Sequence, residues 1–473
     1  MKKIVVLLLM LPLAVWAQDE EVRKKCEVIF PNQMMCASNE KGWTACFTEG
    51  TEEVQCQIFD EHWEELYTES WKSKYGPEYV DRLTEKDRYI FSDDHRFGFV
   101  HMRPDVLLRY YIIDLKTKER RSISFSILPD TEKARTVEVI GRYSQNGSFN
   151  ILWLNKKGNV SQTQIDLNGK VSYRTFQNDS VRIRYKPNFI IHFAGQNGRL
   201  PSDPMSGLGE SKLFAKGDTI WLLSHVHLKK TFPADQLTVS YLDMKNGTFD
   251  AFYLPVKGNS FIEGNALWSL DINYMSGLIA SFKVKRYDLH TLVQSRNQAQ
   301  PSYDSTITNS TNPRFPLPYI SRERITHKKK HDAYVSQGSA VDEQATSTDM
   351  ICRFLNSASN IPFLVVYDQN GLHQIQLGVI QSSVTYNAFL STTTVKEGQW
   401  MKIMKLCFDL EKGNFTMPDS VYKTTWERLQ EVKIEVKETT GKAIWNLCTF
   451  QRPDGWYAAF YEKKTEELVF QKL

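Results

Sequence analysis

A short phrase that recurs along the chain constrains the fold more than any other feature of the sequence. Each copy is an apolar strand that ends in an acidic residue, followed by a polar turn. The copies end at Asp114, Asp166, Asp243, Asp288, Asp368 and Asp409, and a degenerate copy ends at Glu462. An aspartate at a strand end can hydrogen-bond the backbone two residues further on, and Asn-Gly supplies the positive φ of tight hairpins. Each copy therefore predicts a β-hairpin.

The spacing of these copies predicts a repeated unit. Successive copies lie roughly 40–55 residues apart, with two wider gaps of roughly 80, and four-stranded propeller blades repeat at about that period. We therefore expect an all-β fold, a β-propeller-like ring of about seven four-stranded blades, with six or eight allowed. An array of β-sandwiches is the alternative.

The first 17 residues have the pattern of a secretory signal peptide. Lys2 and Lys3 form a charged start, an apolar run follows, and Ala17 ends a plausible cleavage site. No later apolar run approaches the length of a membrane span. We expect an exported, extracellular protein without a membrane span.

The charge balance argues against one class of partner. The net charge is +4, and removal of Lys2 and Lys3 leaves about +2. A value so close to neutral does not favour binding to nucleic acid or to a membrane surface.

The remaining chain divides into two parts by composition. Residues 18–62 form a small cysteine-rich segment, either a separate module or the source of a strand that closes the ring. Residues 63–473 form the propeller-like domain, interrupted at 297–349 by a polar, low-complexity loop. Apolar spacing predicts a short helix over Glu61 to Trp71, and alternation predicts a strand over Val432 to Val436.

Seven cysteines in an exported chain favour disulfides rather than zinc. Cys26, Cys36, Cys46 and Cys56 follow at even ten-residue steps. A turn at residues 49–52 would bring Cys46 opposite Cys56, so we predict that disulfide and, by elimination, a second between Cys26 and Cys36. The three late cysteines are Cys352, Cys407 and Cys448, so one of them is left over after any pairing among themselves.

Six Asn-x-Ser/Thr sequons suggest N-glycosylation. They are Asn146, Asn159, Asn178, Asn246, Asn309 and Asn414. Four of them fall at or beside predicted turns, where a bulky glycan can be tolerated. The pattern favours a eukaryotic secretory protein, and a bacterial periplasmic protein is the alternative.

Two places in the sequence could contribute metal ligands. His225 and His227 alternate along a predicted strand, so both imidazoles lie on one face, as a zinc site needs. Asp93 and Asp94 lie in a turn whose carboxylates could hold calcium. An exposed sheet face and a solvated turn are the structural alternatives, so our prediction is no cofactor, with calcium or zinc as the alternative.

Motifs for enzyme chemistry are absent from the sequence. There is no Gly-x-Ser-x-Gly, His-Glu-x-x-His, glycine-rich phosphate loop or Cys-x-x-Cys. The sequence therefore favours a secreted, glycosylated, disulfide-stapled binding protein whose partner is an extracellular protein or glycan. The alternatives are a metal-dependent propeller hydrolase of the lactonase type and a structural extracellular component.

Overall fold

The structure is a computed structural model of the full chain. It describes residues 21–28, 33–50, 53–72, 88–102, 107–129, 132, 137–155, 159–176, 190–191, 200–207, 211–226, 236–256, 258–275, 278–308, 319–328, 333–339, 343–344, 350–351, 360–369, 372–381, 385–387, 392–394, 399–416, 423–440 and 447–473. Among these residues, no helix is both long enough and apolar enough to cross a bilayer.

The first three blades are four-stranded antiparallel sheets that follow one another in sequence. They come after an N-terminal strand, β1 (Glu21–Lys25). Blade 1 contains β2 (Gln33–Ser38), β3 (Thr44–Glu49), β4 (Glu53–Phe59) and β5 (Glu65–Lys72). Blade 2 contains β6 (Arg88–Ser92), β7 (Arg96–Met102), β8 (Leu107–Asp114) and β9 (Glu119–Ser126). Blade 3 contains β10 (Val137–Gln145), β11 (Ser148–Asn155), β12 (Val160–Asp166) and β13 (Val171–Thr175).

The next two blades keep this order and add short elements. The short strand β14 (Ile190–Ile191) pairs in parallel with the edge of blade 4, whose four antiparallel strands are β15 (Ser211–Lys216), β16 (Thr219–Val226), β17 (Gln236–Asp243) and β18 (Thr248–Leu254). Blade 5 contains β19 (Gly258–Glu263), β20 (Ala266–Met275), β21 (Leu278–Asp288) and β22 (Tyr303–Thr308). Helix α1 (Leu289–Ser295) and a 3₁₀ turn (Arg296–Gln298) lie between β21 and β22.

The last two blades depart most from simple sequence order. Blade 6 is a seven-stranded sheet with β23 (Tyr319–Lys328), β24 (Ala333–Ser339), β25 (Glu343–Gln344), β26 (Asn360–Gln369), β27 (Leu372–Gln381), β30 (Gln399–Asp409) and β31 (Asn414–Thr416). A separate hairpin joins β28 (Thr385–Asn387) to β29 (Thr392–Thr394). Helix α2 (Thr425–Thr440) follows. Blade 7 contains β32 (Leu447–Arg452), β33 (Gly455–Glu462) and β34 (Glu467–Lys472), and β1 completes it.

These seven sheets form the predicted β-propeller. The first strands of neighbouring blades contact one another from β32 to β2, from β2 to β6 and from β6 to β10. Blade 7 pairs three strands from the end of the chain with β1 from its beginning, in the register Glu21 opposite Gln471 to Lys25 opposite Glu467. The N-terminal segment therefore supplies the strand that closes the ring, one of the two possibilities that its sequence left open.

Apolar side chains fill the spaces between blades. One cluster joins blade 1 to blade 2, the next joins blade 2 to blade 3, and a third joins blade 3 to blade 4. Gly141 of blade 3 shows how closely these layers pack, because a Cβ there would clash with the Leu213 side chain of blade 4. The stability of each blade thus depends on burial against its neighbours.

Three local predictions were wrong. Residues 65–72 form the fourth strand of blade 1 rather than a helix, so this blade also crosses the predicted boundary at residue 62. Val432 to Val436 lie within α2 rather than in a strand. The segment 297–349 is not one irregular loop, because β22, β23 and β24 are sheet strands within it.

Candidate functional site

The repeated aspartates mark one end of the blades. In each of blades 1 to 5, an aspartate ends the third strand or directly follows it, where the turn to the fourth strand begins. These aspartates are Asp60, Asp114, Asp166, Asp243 and Asp288. The Oδ1 of Asp166, for example, accepts hydrogen bonds from the backbone N–H of Asn168 and Lys170, both at 2.9 Å. Asp60 does the same for His62 and Glu64, and it is a copy of the phrase that the sequence reading missed.

Turns between first and second strands lie at the same end, which we call the turn face. Here side chains of one blade bond the next: Asn39 donates to the Asp93 carbonyl at 3.0 Å, and Arg96 donates to the Asn168 amide oxygen at 2.7 Å. Gln145 of blade 3 donates to the Gly217 carbonyl of blade 4 at 2.7 Å. Blade positions at the turn face are therefore fixed by polar contacts as well as by the apolar clusters.

A polar pocket of about 410 Å³ opens at the turn face between blades 3 and 4. All four strands of blade 3 contribute to it, and blade 4 contributes the turns that follow β15 and β17. The lining residues are Tyr143, Gln145, Asn146, Asn150, Gln162, Gln164, Ser172, Tyr173, Arg174, Gly217, Asp218 and Met244. The strand register explains this grouping, because Tyr143 lies opposite Asn150, and Asn150 lies opposite Gln164.

The inner part of the pocket is a buried hydrogen-bond network. The Gln162 side-chain amide donates to the Asn150 amide oxygen at 2.7 Å and to the Tyr143 hydroxyl at 3.1 Å. All three side chains are buried. Burial raises the pKa of the Tyr143 phenol, so this hydroxyl stays protonated at neutral pH. The network presents neutral groups that can both donate and accept hydrogen bonds.

The outer part of the pocket carries exposed polar and charged groups. Gln164 donates to the Ser148 hydroxyl at 3.0 Å, and Arg174 donates to the Met244 carbonyl of blade 4. Asp218 lies at the blade 4 side, and Gln164, Arg174 and Asp218 are all exposed. One cation and one carboxylate at the mouth leave the pocket without a strong charge of either sign. No sequence motif pointed to it, because its residues come from four strands and three turns.

The aspartates proposed as calcium ligands have other partners. Asp93 accepts hydrogen bonds from the backbone N–H of His95 and Arg96, and its Oδ2 accepts one from the Arg96 guanidinium at 2.8 Å. Burial alone would raise the pKa of Asp93, but these hydrogen bonds outweigh it and lower the pKa. Asp94 is exposed and forms an ion pair with Lys41 at 3.3 Å.

The histidines proposed as zinc ligands lie elsewhere in the ring. His225 is in β16 of blade 4, opposite Leu237, whereas Asp93 and Asp94 are in blade 2. His227 lies outside the described residues. Within the described part of the chain, no three His, Cys, Asp or Glu side chains are grouped so that they could hold a metal ion. The structure does not bring the described members of the predicted metal set together.

Lys212 is a buried lysine whose charged end has three acceptors. Its Nζ donates to the carbonyls of Gly207 at 3.0 Å and Ser260 at 2.6 Å, and to the amide oxygen of Asn259. Burial lowers the pKa of Lys212 well below its usual range. Gly207 also accepts from the Asn259 amide at 2.8 Å, so Lys212 and Asn259 attach the segment 200–207 to the first strands of blades 4 and 5.

The described sequons lie at turns, as predicted. Asn146 and Gly147 both have positive φ and form the tight turn between β10 and β11. Asn246 donates to the Asp243 carboxylate at 2.7 Å in the turn after β17. Asn159 precedes β12 and Asn414 begins β31, whereas Asn178 and Asn309 lie outside the described residues. Asn146 lines the pocket, and Asn246 follows the lining residue Met244 by two positions.

The described cysteines form no disulfide bond in the structure. Cys46 lies opposite Cys36, whereas Cys56 lies opposite Phe47. Cys46 and Cys56 therefore project from opposite faces of the sheet, which does not fit the predicted Cys46–Cys56 pair. Cys26 follows β1 and is buried, Cys407 donates to the Gln374 amide oxygen at 2.9 Å, and Cys352 lies outside the described residues.

Comparisons with known proteins add little beyond this geometry. No protein-family model matches the chain, and no curated protein sequence matches it. The WD40 domain of SCAP from fission yeast is similar, with 11% identity over 93% of this chain and 85% of that chain and a TM-score of 0.32. A streptogramin B lyase has 10% identity over 82% and 100%, with a TM-score of 0.30.

A variant of the Synechocystis apocarotenoid oxygenase has 10% identity, with a TM-score of 0.28. This match covers 58% of the chain and 64% of the oxygenase, which is less than two thirds of its length. Because all of these TM-scores are low, the propeller fold rests on the strands and sheets described above.

Proposed function

We propose that this chain is an exported binding protein that holds a neutral glycan in the pocket between blades 3 and 4. The observation that carries the proposal is the inner network of Gln162, Asn150 and Tyr143. Amides and hydroxyls that both donate and accept hydrogen bonds are suited to the hydroxyl groups of a sugar. The signal-peptide pattern of residues 1–17 supports export.

Charge and the surrounding fold favour a neutral ligand over a charged one. The mouth of the pocket offers Arg174 and Asp218 together, so neither an anionic nor a cationic ligand gains a net attraction. Strand pairing holds the backbone of Tyr143, Asn150 and Gln162 in place before a ligand arrives. Such pre-organisation lowers the entropy cost of binding.

The pocket also places a condition on the proposed glycosylation. Asn146 lines the pocket, and Asn246 is two residues beyond the lining residue Met244. Carbohydrate attached at either side chain would compete with a ligand for the mouth. Binding is therefore best measured on protein made in a host that does not attach N-glycans.

The test is a screen of neutral oligosaccharides on a glycan array, followed by calorimetry with the best ligand. Loss of one hydrogen bond costs about 0.5–1.5 kcal/mol, so Gln164→Ala and Arg174→Ala should each weaken binding by about 2- to 12-fold. Arg120→Ala is the matched control, since Arg120 is also on an outer strand and bonds Glu69 of a neighbouring blade at 2.9 Å.

Three outcomes would overturn the proposal. The chain could bind no neutral glycan, both pocket variants could bind as well as the wild type, or Arg120→Ala could weaken binding equally. Capture of an extracellular protein with no glycan requirement would count as the first of these.

A further inference from the structure

A cluster of thiols lies where the first and last blades meet. Cys36 is in β2, the first strand of blade 1, and Cys448 is in β32, the first strand of blade 7. These two strands contact each other, and Cys46 lies opposite Cys36 on the neighbouring strand. Cys36 and Cys448 are more than 400 positions apart in the chain, and the contact between their strands brings their sulfur atoms close together.

The Cys36 thiol lies close enough to those of Cys448 and Cys46 for both to raise its pKa, after the larger effect of burial. All three belong to one apolar cluster, which also contains aromatic side chains such as Phe59 and Phe450. Cys36 and Cys46 are almost fully buried, whereas Cys448 is partly exposed. Because these neighbours are apolar and the described residues offer no three-ligand metal group, thiol–thiol chemistry is what this cluster supports.

We propose that Cys36 and Cys448 form a disulfide that covalently joins blade 1 to blade 7. The reaction is thiol–disulfide exchange with an external disulfide oxidant. The thiolate of Cys448, the more exposed sulfur, attacks the oxidant and releases its first thiol. The thiolate of Cys36 then attacks the Cys448 sulfur and releases the second. Two protein thiols become one disulfide, the oxidant disulfide becomes two thiols, and the protons pass to those products.

Position favours Cys448 over Cys46 as the partner of Cys36. A bond to Cys46 would staple a hairpin that backbone hydrogen bonds already hold. A bond to Cys448 would close a loop of about 400 residues, and a longer loop removes more entropy from the unfolded chain. It would also reinforce the junction of blades 1 and 7, where β1 pairs with β34 and the Arg452 guanidinium donates to the Glu61 carbonyl at 2.7 Å.

Acidity favours the same order of events. Burial, and then hydrogen bonding with Cys448 and Cys46, raises the pKa of Cys36 well above its usual range. The first attack on an oxidant therefore belongs to Cys448, and Cys36 reacts only with the sulfur beside it. The inference depends on the oxidising compartment that the proposed export supplies, but its test does not depend on ligand binding.

Peptide mapping tests the proposal directly. The chain from residue 18 is equilibrated with glutathione disulfide, its free thiols are alkylated under denaturing conditions, and it is digested with trypsin without reduction. Cleavage after Lys25, Lys41 and Lys442 separates the peptide with Cys26 and Cys36 from those with Cys46 and Cys448. We expect the peptide that begins at Cys26 joined to the one that begins at Ala443, and the same link in a Cys26→Ser variant.

A stability measurement provides the second readout. Reductant should lower the Tm of the wild type by several degrees and leave the Tm of Cys448→Ser unchanged. Cys407→Ser, which alters a buried thiol outside the cluster, should keep the full response to reductant. A link between Cys36 and Cys46, full alkylation of both Cys36 and Cys448, or a reductant response that survives in Cys448→Ser would overturn the proposal.

Discussion

At the scale of single residues, turn chemistry accounts for most of what the sequence revealed. Aspartate recurs because its carboxylate bonds the backbone of the turn that it starts, as Asp243 does with the N–H of Lys245 and Asn246, both at 2.9 Å. Asn-Gly recurs because a tight hairpin needs positive φ. When a Ser or Thr starts the next strand, the same Asn-Gly becomes a sequon, as at Asn146 and Asn246. These two sequons therefore have a structural cause alongside the proposed glycosylation.

One buried histidine predicts a pH effect at this scale. His373 is 5% exposed and lies edge-on to Trp268 at 6.0 Å between ring centroids. Burial lowers the pKa of His373, Arg286 and Lys216 lower it further, and Asp368 partly offsets them. The unfolded chain therefore takes up a proton at a higher pH than the folded chain does, and stability falls as the pH drops below about 6.5.

We expect the Tm to decrease from pH 7.5 to pH 5.5 and His373→Gln to reduce that decrease. His62→Gln is the control, because His62 is exposed. Retention of the full pH dependence in His373→Gln would contradict the assignment, whatever the absolute Tm of that variant.

At the scale of elements, strands were predicted well and helices poorly. In blade 3 the hairpin predicted at Asp166 joins β12 to β13, because apolar alternation and turn residues agree there. Val432, Ile434 and Val436 also alternate, yet they belong to α2. A capping box starts that helix: the Thr424 hydroxyl accepts from the Glu427 N–H at 3.2 Å, and Glu427 accepts from the Thr424 N–H at 2.8 Å.

The ion pair of Glu427 also stabilises the packing of α2 on blade 6. Its carboxylate lies 2.6 Å from the Nζ of Lys405 on β30, and the Lys405 side chain is 2% exposed. Removal of one partner leaves a buried charge, so Glu427→Ala should lower the free energy of unfolding by about 3–5 kcal/mol. Denaturant titration measures this change.

Glu431→Ala on the same helix is the control, because the pair that Glu431 forms with Lys423 is exposed and should contribute less than about 1 kcal/mol. Equal losses in the two variants would show that Glu427 acts only through helix formation.

At the scale of the whole molecule, the ring is closed by strand pairing between the two ends of the chain. Five residue pairs join β1 to β34, and Arg23 forms ion pairs with Glu462 and with Glu467. Blades 6 and 7 meet differently, because α2 lies between them. Trp426 and Leu429 of that helix pack with Trp456 and Ala458 of blade 7.

Closure predicts the effect of removing β1. Each backbone hydrogen bond contributes about 1 kcal/mol, so a chain that starts at Cys26 should lose about 3–5 kcal/mol of unfolding free energy. A synthetic peptide of residues 18–25 should restore part of the lost stability, and a scrambled peptide should not. An unchanged denaturation midpoint in the truncated chain would refute the closing role of β1.

The sequence by itself determined most of the hairpins and the propeller class, because turn residues and strand alternation act over only a few residues. The sequence also left two possibilities open for the N-terminal segment, a separate module or a strand that closes the ring. Tertiary structure decided between them, since pairing of β1 with β34 joins residues that no local pattern connects. The pocket between blades 3 and 4 and the thiol pair Cys36 and Cys448 have the same origin. Both bring together distant residues through the register and packing of whole blades, which local propensity does not encode.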